Sequence, residues 1–72
     1  MEQDEATAQI SLTDQEFAIL RLIAAGQSTN KIAGMLGLQP STIMWYRKRL
    51  HRKFNVHNMA GLIYKAGELH II

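Results

Sequence analysis

The 72-residue sequence predicts an all-α fold, a bundle of four short helices. Apolar residues recur with the spacing of a helix face in four segments, and no segment alternates as a half-buried strand would. Residues that favour helix starts precede these segments, and glycines follow the first two. Because a chain this short buries only about 60% of the surface that it exposes when unfolded, we expect a marginal core and no deep catalytic pocket.

The amino-acid composition excludes several classes of protein. Hydrophobic residues make up 47% of the chain and charged residues 19%, a balance that argues against intrinsic disorder. The absence of cysteine excludes disulfides, cysteine-ligated zinc and thiol nucleophiles. The apolar runs are too short to cross a bilayer, and the acidic N-terminus is unlike a signal peptide. We therefore expect a small soluble protein of the cytoplasm.

The domain is predicted over residues 12–72, after a flexible acidic lead or linker over residues 1–11 that has no hydrophobic periodicity. The first helix begins after Thr13, whose spacing from Glu16 is that of a capping box. It runs to about residue 25 and ends at Gly26. Its inward residues are Ile19, Leu20 and Ile23.

The second helix is predicted to begin after Ser28 as its N-cap and to end at Gly37. Leu38 then enters the core across the turn. The third helix begins at Pro40, where a missing N–H costs nothing, and runs to about Phe54.

The fourth helix is predicted from about Asn58 to residue 67 or 68, with an apolar tail that folds back onto the core. Either Asn55 or Asn58 can serve as its cap. Gly34 and Gly61 lie inside predicted helices, which suggests that another backbone approaches them closely. The inward residues of the fourth helix are Leu62, Ile63 and Ala66.

The two middle helices have the lengths and the short turn of a helix-turn-helix, although ordinary helical hairpins share this spacing. Five of the eight basic residues lie within residues 47–53 of the third helix. A cluster of this density indicates an anionic partner, with nucleic acid as the first candidate and a solvated helix face as the simpler alternative. The cluster consists of Arg47, Lys48, Arg49, Arg52 and Lys53.

Winding the third helix at about 100° per residue separates an apolar seam from a cationic face. The seam consists of Ile43, Leu50 and Phe54. A helix that presents cations outward fits the major groove, which is about 12 Å wide. The outward face carries Trp45, Lys48, Arg49 and Arg52, with Met44 and His51 along one edge.

Tyr46 and Arg47 flank the seam. Tyr46 is predicted at the rim of the core, and for Arg47 a pairing with an acid such as Glu16 is the alternative to a DNA contact. Lys53 is expected to lie alongside the core with its ammonium group in solvent.

Several stretches occur together in one register: Leu12-Thr13 with Glu16, ILRLIAAG at 19–26, STNKIA at 28–33, LGL at 36–38, STI at 41–43, and KFNV at 53–56 with Asn58. In this combination residues 12–72 resemble the LuxR-type (LuxR/FixJ) helix-turn-helix domain. That domain is the DNA-binding output module of many bacterial response regulators. The resemblance implies a four-helix bundle whose third helix reads DNA and whose fourth helix often supplies a dimer interface.

The resemblance also implies roles for individual residues. The base-facing positions are Met44, Trp45 and Lys48, and the predicted backbone or edge contacts are Ser41, Thr42, Arg49, His51 and Arg52. The candidates for a dimer surface are Met59, Leu62, Ile63 and Tyr64, with simple core membership as the alternative.

The chain departs from the family pattern on the reading face. The family usually carries a lysine at the position of Met44 and a histidine at that of Tyr46. Met44 and Trp45 cannot make the bidentate hydrogen bonds that distinguish guanine or adenine, but they can contact thymine methyl groups. We therefore expect a preference for a T-rich half-site.

The sequence thus predicts a bacterial transcriptional regulator, not an enzyme, that binds double-stranded DNA as a homodimer on a two-fold or direct-repeat site. An upstream receiver or sensor domain, or transcription machinery, is a possible further partner. The alternative is a protein-interaction module of the same fold that has lost DNA binding. No cofactor or metal is expected, because the three histidines lack metal-ligand spacing.

Overall fold

A computed structural model describes residues 10–72 of the chain. This region contains four α-helices and no strand, which confirms the predicted all-α class. The helices are α1 (Asp14–Ala24), α2 (Thr29–Leu36), α3 (Pro40–Phe54) and α4 (Met59–Glu68). Within residues 10–72, no helix is both long and apolar enough to cross a membrane.

The helix starts follow the predicted capping residues. The Thr13 hydroxyl accepts a hydrogen bond from the Glu16 backbone N–H at 3.1 Å, and the Thr13 N–H donates to the Glu16 carboxylate at 2.9 Å. Ser28 caps α2 and Asn58 caps α4, each through its side-chain oxygen, and Pro40 is the first residue of α3. These bonds satisfy backbone donors that lack a partner inside the helix.

Each helix ends in the same way, at a residue in the left-handed region followed by a backbone bond that spans five residues. The donor N–H groups belong to Gln27, Leu38, Val56 and Ile71, with N···O distances of 2.9–3.1 Å. Three of these donor residues, Leu38, Val56 and Ile71, also pack against the core. The left-handed residues are Gly26, Gly37, Asn55 and His70.

Helix α3 lies at the centre of the bundle and packs against each of the other three helices. Its predicted seam of Ile43, Leu50 and Phe54 is fully buried, as the helical winding requires. The other fully or almost fully buried apolar side chains are Ile19, Leu20, Ile23, Ile32, Ala33, Leu62 and Ala66.

The start of the domain lies slightly earlier than the sequence indicated. Most of the predicted acidic lead, residues 1–9, lies outside the described residues. Ile10 packs against the core, and the Ser11 carbonyl accepts a hydrogen bond from Lys53 Nζ at 2.7 Å. The described contacts with the bundle therefore begin before Leu12.

Neither Gly34 nor Gly61 meets another backbone, so the interpretation made from the sequence is wrong at both positions. Apart from its chain neighbours and the nearby backbone of its own helix, no described atom lies within 4 Å of the position that a Cβ would take at Gly34. At Gly61 the close atoms belong to side chains, Asn58 Oδ1 at 3.3 Å and Val56 Cβ at 3.4 Å. Gly61 therefore lies close against the cap of its own helix.

Alanine substitutions at two glycines, one inside α2 and one in the turn that follows it, should change the free energy of unfolding in opposite directions. Gly34→Ala is expected to stabilise the domain by up to about 1 kcal/mol, because the site is helical and has space for a methyl group. Gly37→Ala is expected to destabilise it by about 1–2 kcal/mol, since the backbone there has φ +68°. Urea unfolding curves measure both changes; shifts of the same sign would contradict the assigned backbone geometry.

Candidate nucleic-acid interface

The outward face of α3 is exposed along its length. Trp45 retains 50% of its surface and Met44 54%, and Lys48 and Arg52 are also exposed. These four side chains project from the helix that buries Ile43, Leu50 and Phe54 on its other side. The structure therefore confirms that Trp45 is exposed and lies outside the core.

The relative positions of α2 and α3 are set by the turn between them. The N–H groups of Gly37 and Leu38 both donate to the Ala33 carbonyl, and the left-handed conformation of Gly37 reverses the chain. A side-chain hydrogen bond from Arg47 Nη1 to the Thr29 hydroxyl joins the two helices directly. Of the two alternatives for Arg47, the pairing with an acid is wrong within residues 10–72, because its guanidinium extends to α2.

A buried carboxylate joins α1 to α3. The Glu16 side chain is 1% exposed; its Oε2 accepts from Arg49 Nε at 2.6 Å and its Oε1 from Lys53 Nζ at 2.7 Å. Arg49 and Lys53 lie four residues apart on α3 and therefore reach the same acid. The prediction that the Lys53 ammonium lies in solvent is wrong, since a buried carboxylate requires charged partners. The spacing of the two cations was the signal that sequence analysis missed.

The environment of Glu16 stabilises its ionised form. Burial by itself raises the pKa of a carboxyl group, because it penalises the charge. Hydrogen bonds from Lys53, the Thr13 backbone and Arg49, with the positive charge of Lys53, outweigh that effect and lower the Glu16 pKa from 4.5 to about 2. Glu16 is therefore charged throughout the physiological pH range.

Only part of the basic cluster is available to an external anion. Glu16 binds both Arg49 and Lys53, and its single negative charge offsets one of their two positive charges. Within residues 10–72, Arg47, Lys48 and Arg52 have no acidic partner. Because Lys48 and Arg52 are exposed and point away from the core, a partner molecule can reach both.

Aromatic and cationic groups surround Trp45. The Arg49 guanidinium carbon lies 5.4 Å from the centroid of the Trp45 ring, within the range of a cation–π interaction. The Tyr46 ring meets the indole edge to face, with centroids 5.0 Å apart and planes at 83°. Tyr46 is half-buried against the core, as predicted for a rim residue.

Two shallow surface depressions share Met44 and Lys48. One, of about 410 Å³, lies between α2 and α3 and is also lined by Thr29, Arg47 and His51. The other, of about 340 Å³, is also lined by Ser41 and Trp45. His51 Nε2 has no hydrogen-bond partner among the described residues. The predicted base-facing residues therefore lie together on one surface.

The remaining candidates lie at the start of α3 and on α4. Ser41 is exposed and Thr42 half-buried in the first turn of α3. On α4, Leu62 is fully buried and belongs to the core, so its side chain cannot form a dimer surface. Tyr64 is 71% exposed, while Met59 and Ile63 are partly buried against the core.

Comparison of the sequence with known proteins finds a matching family and several similar regulators. Residues 10–66 match the family described as "Bacterial regulatory proteins, luxR family". The chain is 38% identical over 56 residues to the response regulator UvrY of Escherichia coli K12, covering 78% of this chain and 26% of that protein. It is 44% identical over 48 residues to a nitrate/nitrite response regulator protein homolog of Haemophilus influenzae, covering 67% and 23%.

A third relative is the transcriptional regulatory protein MctR of Rhizobium johnstonii, 44% identical over 52 residues. That match covers 72% of this chain and 24% of the relative. The chain thus spans about a quarter of the length of each of these three regulators.

The lowered pKa of Glu16 predicts a dependence of stability on pH. Because the pKa falls from 4.5 to about 2 on folding, ionised Glu16 contributes stability above pH 4.5 that is lost as pH falls towards 2. Its contribution at pH 7 is about 3 kcal/mol. Glu16→Gln should therefore be less stable than the wild type at neutral pH, and the difference should shrink below pH 4.5.

Chemical unfolding at several pH values between 2 and 7 measures this difference. Asp14→Asn is the matched control, because Asp14 is an exposed carboxylate in the same first turn of α1. A Glu16→Gln variant as stable as Asp14→Asn at pH 7 would contradict the role assigned to the buried ion pairs.

Proposed function

The chain belongs to the luxR family of bacterial regulatory proteins, and on that premise we propose that α3 enters the major groove of duplex DNA and reads its sequence. The observation that carries this proposal is the exposed cationic side of α3. Lys48 and Arg52 lie opposite the buried seam and have no acidic partner within residues 10–72. A rigid helix with outward cations has the shape and charge that the major groove accepts.

The phosphate backbone is proposed to bind on both sides of this helix. Arg52 and the first turn of α3, at Ser41 and Thr42, supply cationic, hydroxyl and N–H donors for phosphate oxygens. The depression lined by Arg47, Lys48 and His51 is cationic and open to solvent. His51 lines the same depression and is proposed to contact DNA at its edge through the partly exposed part of its ring, while its Nε2 is buried.

Base reading is proposed to combine one polar and two apolar contacts. Lys48 can donate to guanine O6 or N7, whereas Met44 and Trp45 can cover the C5-methyl group of thymine. Half of the Trp45 surface is exposed beside Met44. Large adjacent apolar side chains on a surface often mark a contact site, which supports a T-rich half-site.

We propose that the domain acts as the DNA-binding part of a longer transcriptional regulator and binds as a homodimer. A single small module buries too little surface to select one genomic site. The proposed dimer contact is the exposed Tyr64 together with the partly buried Met59 and Ile63 of α4. Two of the three relatives above are response regulators by name; an upstream receiver or sensor domain, or transcription machinery, is therefore proposed as the controlling partner. Such a regulator would act in the cytoplasm, at the bacterial nucleoid.

Replacing two exposed cations tests the proposed reading side. The double variant Lys48→Ala with Arg52→Ala should bind duplex DNA at least several-fold more weakly, and its log–log salt slope should be smaller by about 0.9, because Arg52 is the one of the two that is assigned to a phosphate. The duplex is one selected from a random pool by the wild-type protein, and affinity is measured by mobility shift at several salt concentrations.

The matched control is Arg21→Ala with Lys65→Ala, which removes the same charge from α1 and α4. An equal loss of DNA affinity in the two double variants would contradict the assignment of the DNA-binding side to α3. Wild-type affinity that does not change with salt would instead favour a protein-interaction module.

Trp45 is predicted to affect sequence preference more than stability. Each thymine methyl group that it covers contributes about 0.8 kcal/mol, or about fourfold in affinity. Replacing the contacted thymine by uracil should therefore weaken wild-type binding about fourfold and leave Trp45→Ala binding unchanged. Thermal unfolding of Trp45→Ala should differ little from that of the wild type, since the side chain is exposed; a large fall in Tm would contradict this assignment.

A further inference from the structure

The Arg49 guanidinium lies between two groups of very different burial. On one side its Nε donates to the carboxylate of Glu16, which is almost fully buried on α1. On the other side its central carbon lies 5.4 Å from the centroid of the exposed Trp45 ring. Arg49 therefore connects the core to the side chain that is proposed to meet the bases.

We propose that Arg49 is a positioning residue that holds the Trp45 indole in one orientation, and thereby determines how well the protein discriminates thymine from uracil. The proposal rests on the proposed DNA binding through α3. It assigns Arg49 a task in addition to the backbone or edge contact predicted for it.

The geometry gives Arg49 little freedom to move away from the indole. Glu16 is fixed by its burial and by hydrogen bonds from Thr13 and Lys53 in addition to the one from Arg49. An arginine that binds a fixed carboxylate through Nε keeps its planar guanidinium in a defined place. Tyr46 contacts the indole as well, with ring centroids 5.0 Å apart. The Trp45 ring is therefore held by residues one and four positions further along α3.

A fixed indole recognises a methyl group better than a mobile one. Ordering a surface side chain on binding costs conformational entropy, and that cost is avoided when the side chain is already held in the bound orientation. The benefit applies only where the ring covers a methyl group. A phosphate contact from Arg49, in contrast, strengthens binding to thymine and uracil duplexes equally.

The chain offers both a reporter and a matched control. Trp45 is its one tryptophan, so intrinsic fluorescence reports on this side chain alone. Arg49→Gln removes the cation beside the indole and one ion pair of Glu16. Lys53→Gln removes the other Glu16 ion pair, and Lys53 is not the cation that stacks on Trp45. Comparing the two variants separates the positioning of the indole from the effect of losing one ion pair of Glu16.

The first measurement uses the free protein and no DNA. Time-resolved fluorescence anisotropy should show a larger fast component, which reports local indole motion, in Arg49→Gln than in the wild type. Lys53→Gln should resemble the wild type. Equal fast components in all three proteins, or equal increases in both variants, would overturn the positioning role.

The second measurement compares affinities for a selected duplex with thymine or uracil at the contacted position. The ratio of about fourfold expected for the wild type should fall towards one in Arg49→Gln and persist in Lys53→Gln. Arg49→Lys keeps the charge without the planar group and should show an intermediate ratio of affinities. If Arg49→Gln does not fold, Arg49→Lys replaces it in this comparison.

The outcomes separate this inference from the proposed function. A wild-type protein that binds no selected duplex contradicts DNA binding, and the anisotropy comparison still decides whether Arg49 holds the indole. A wild type that discriminates thymine, together with an Arg49→Gln variant that discriminates it equally well, overturns the inference alone.

Discussion

The buried carboxylate of Glu16 is the interaction on which the proposed interface depends. Glu16 takes part in the capping box that begins α1 and also binds two cations of α3. A single ionised side chain thus contributes to a helix start and to a helix–helix contact. Because an ionised acid is costly to bury without partners, the fold places Arg49 and Lys53 against α1, and the opposite side of α3 remains exposed.

This division of charge changes how the basic cluster is interpreted. Five cations in seven residues suggest a uniformly charged helix, but two of them belong to the internal structure. The cations without an acidic partner within residues 10–72 are Arg47, Lys48 and Arg52, and Arg47 is also tied to α2 through Thr29. In the proposed DNA binding, the electrostatic contribution is therefore smaller than the count of five cations indicates, and specificity depends more on shape and apolar contact.

The apolar pair Met44 and Trp45 is the distinctive feature of this surface. Lone apolar residues are common on protein surfaces, but here two large side chains lie together beside Lys48 and Ser41. The indole contacts Arg49 and Tyr46, so it belongs to a structured group of side chains. The ion pairs that connect α1 to α3 and the cation–π contact with the indole share one arginine, which would link the stability of the domain to the proposed recognition of DNA.

The sequence by itself determined the helices and the two sides of α3, because caps, glycine turns and helical periodicity act between residues a few positions apart. The first three helices begin at the predicted residues, the fourth begins just after Asn58, and the seam of Ile43, Leu50 and Phe54 is buried as expected. Only the tertiary structure decided which cation meets Glu16, since Arg49 lies 33 residues away from it along the chain. It also decided that Leu62 belongs to the core. Such pairings depend on the relative positions of whole helices, and local spacing does not specify those positions.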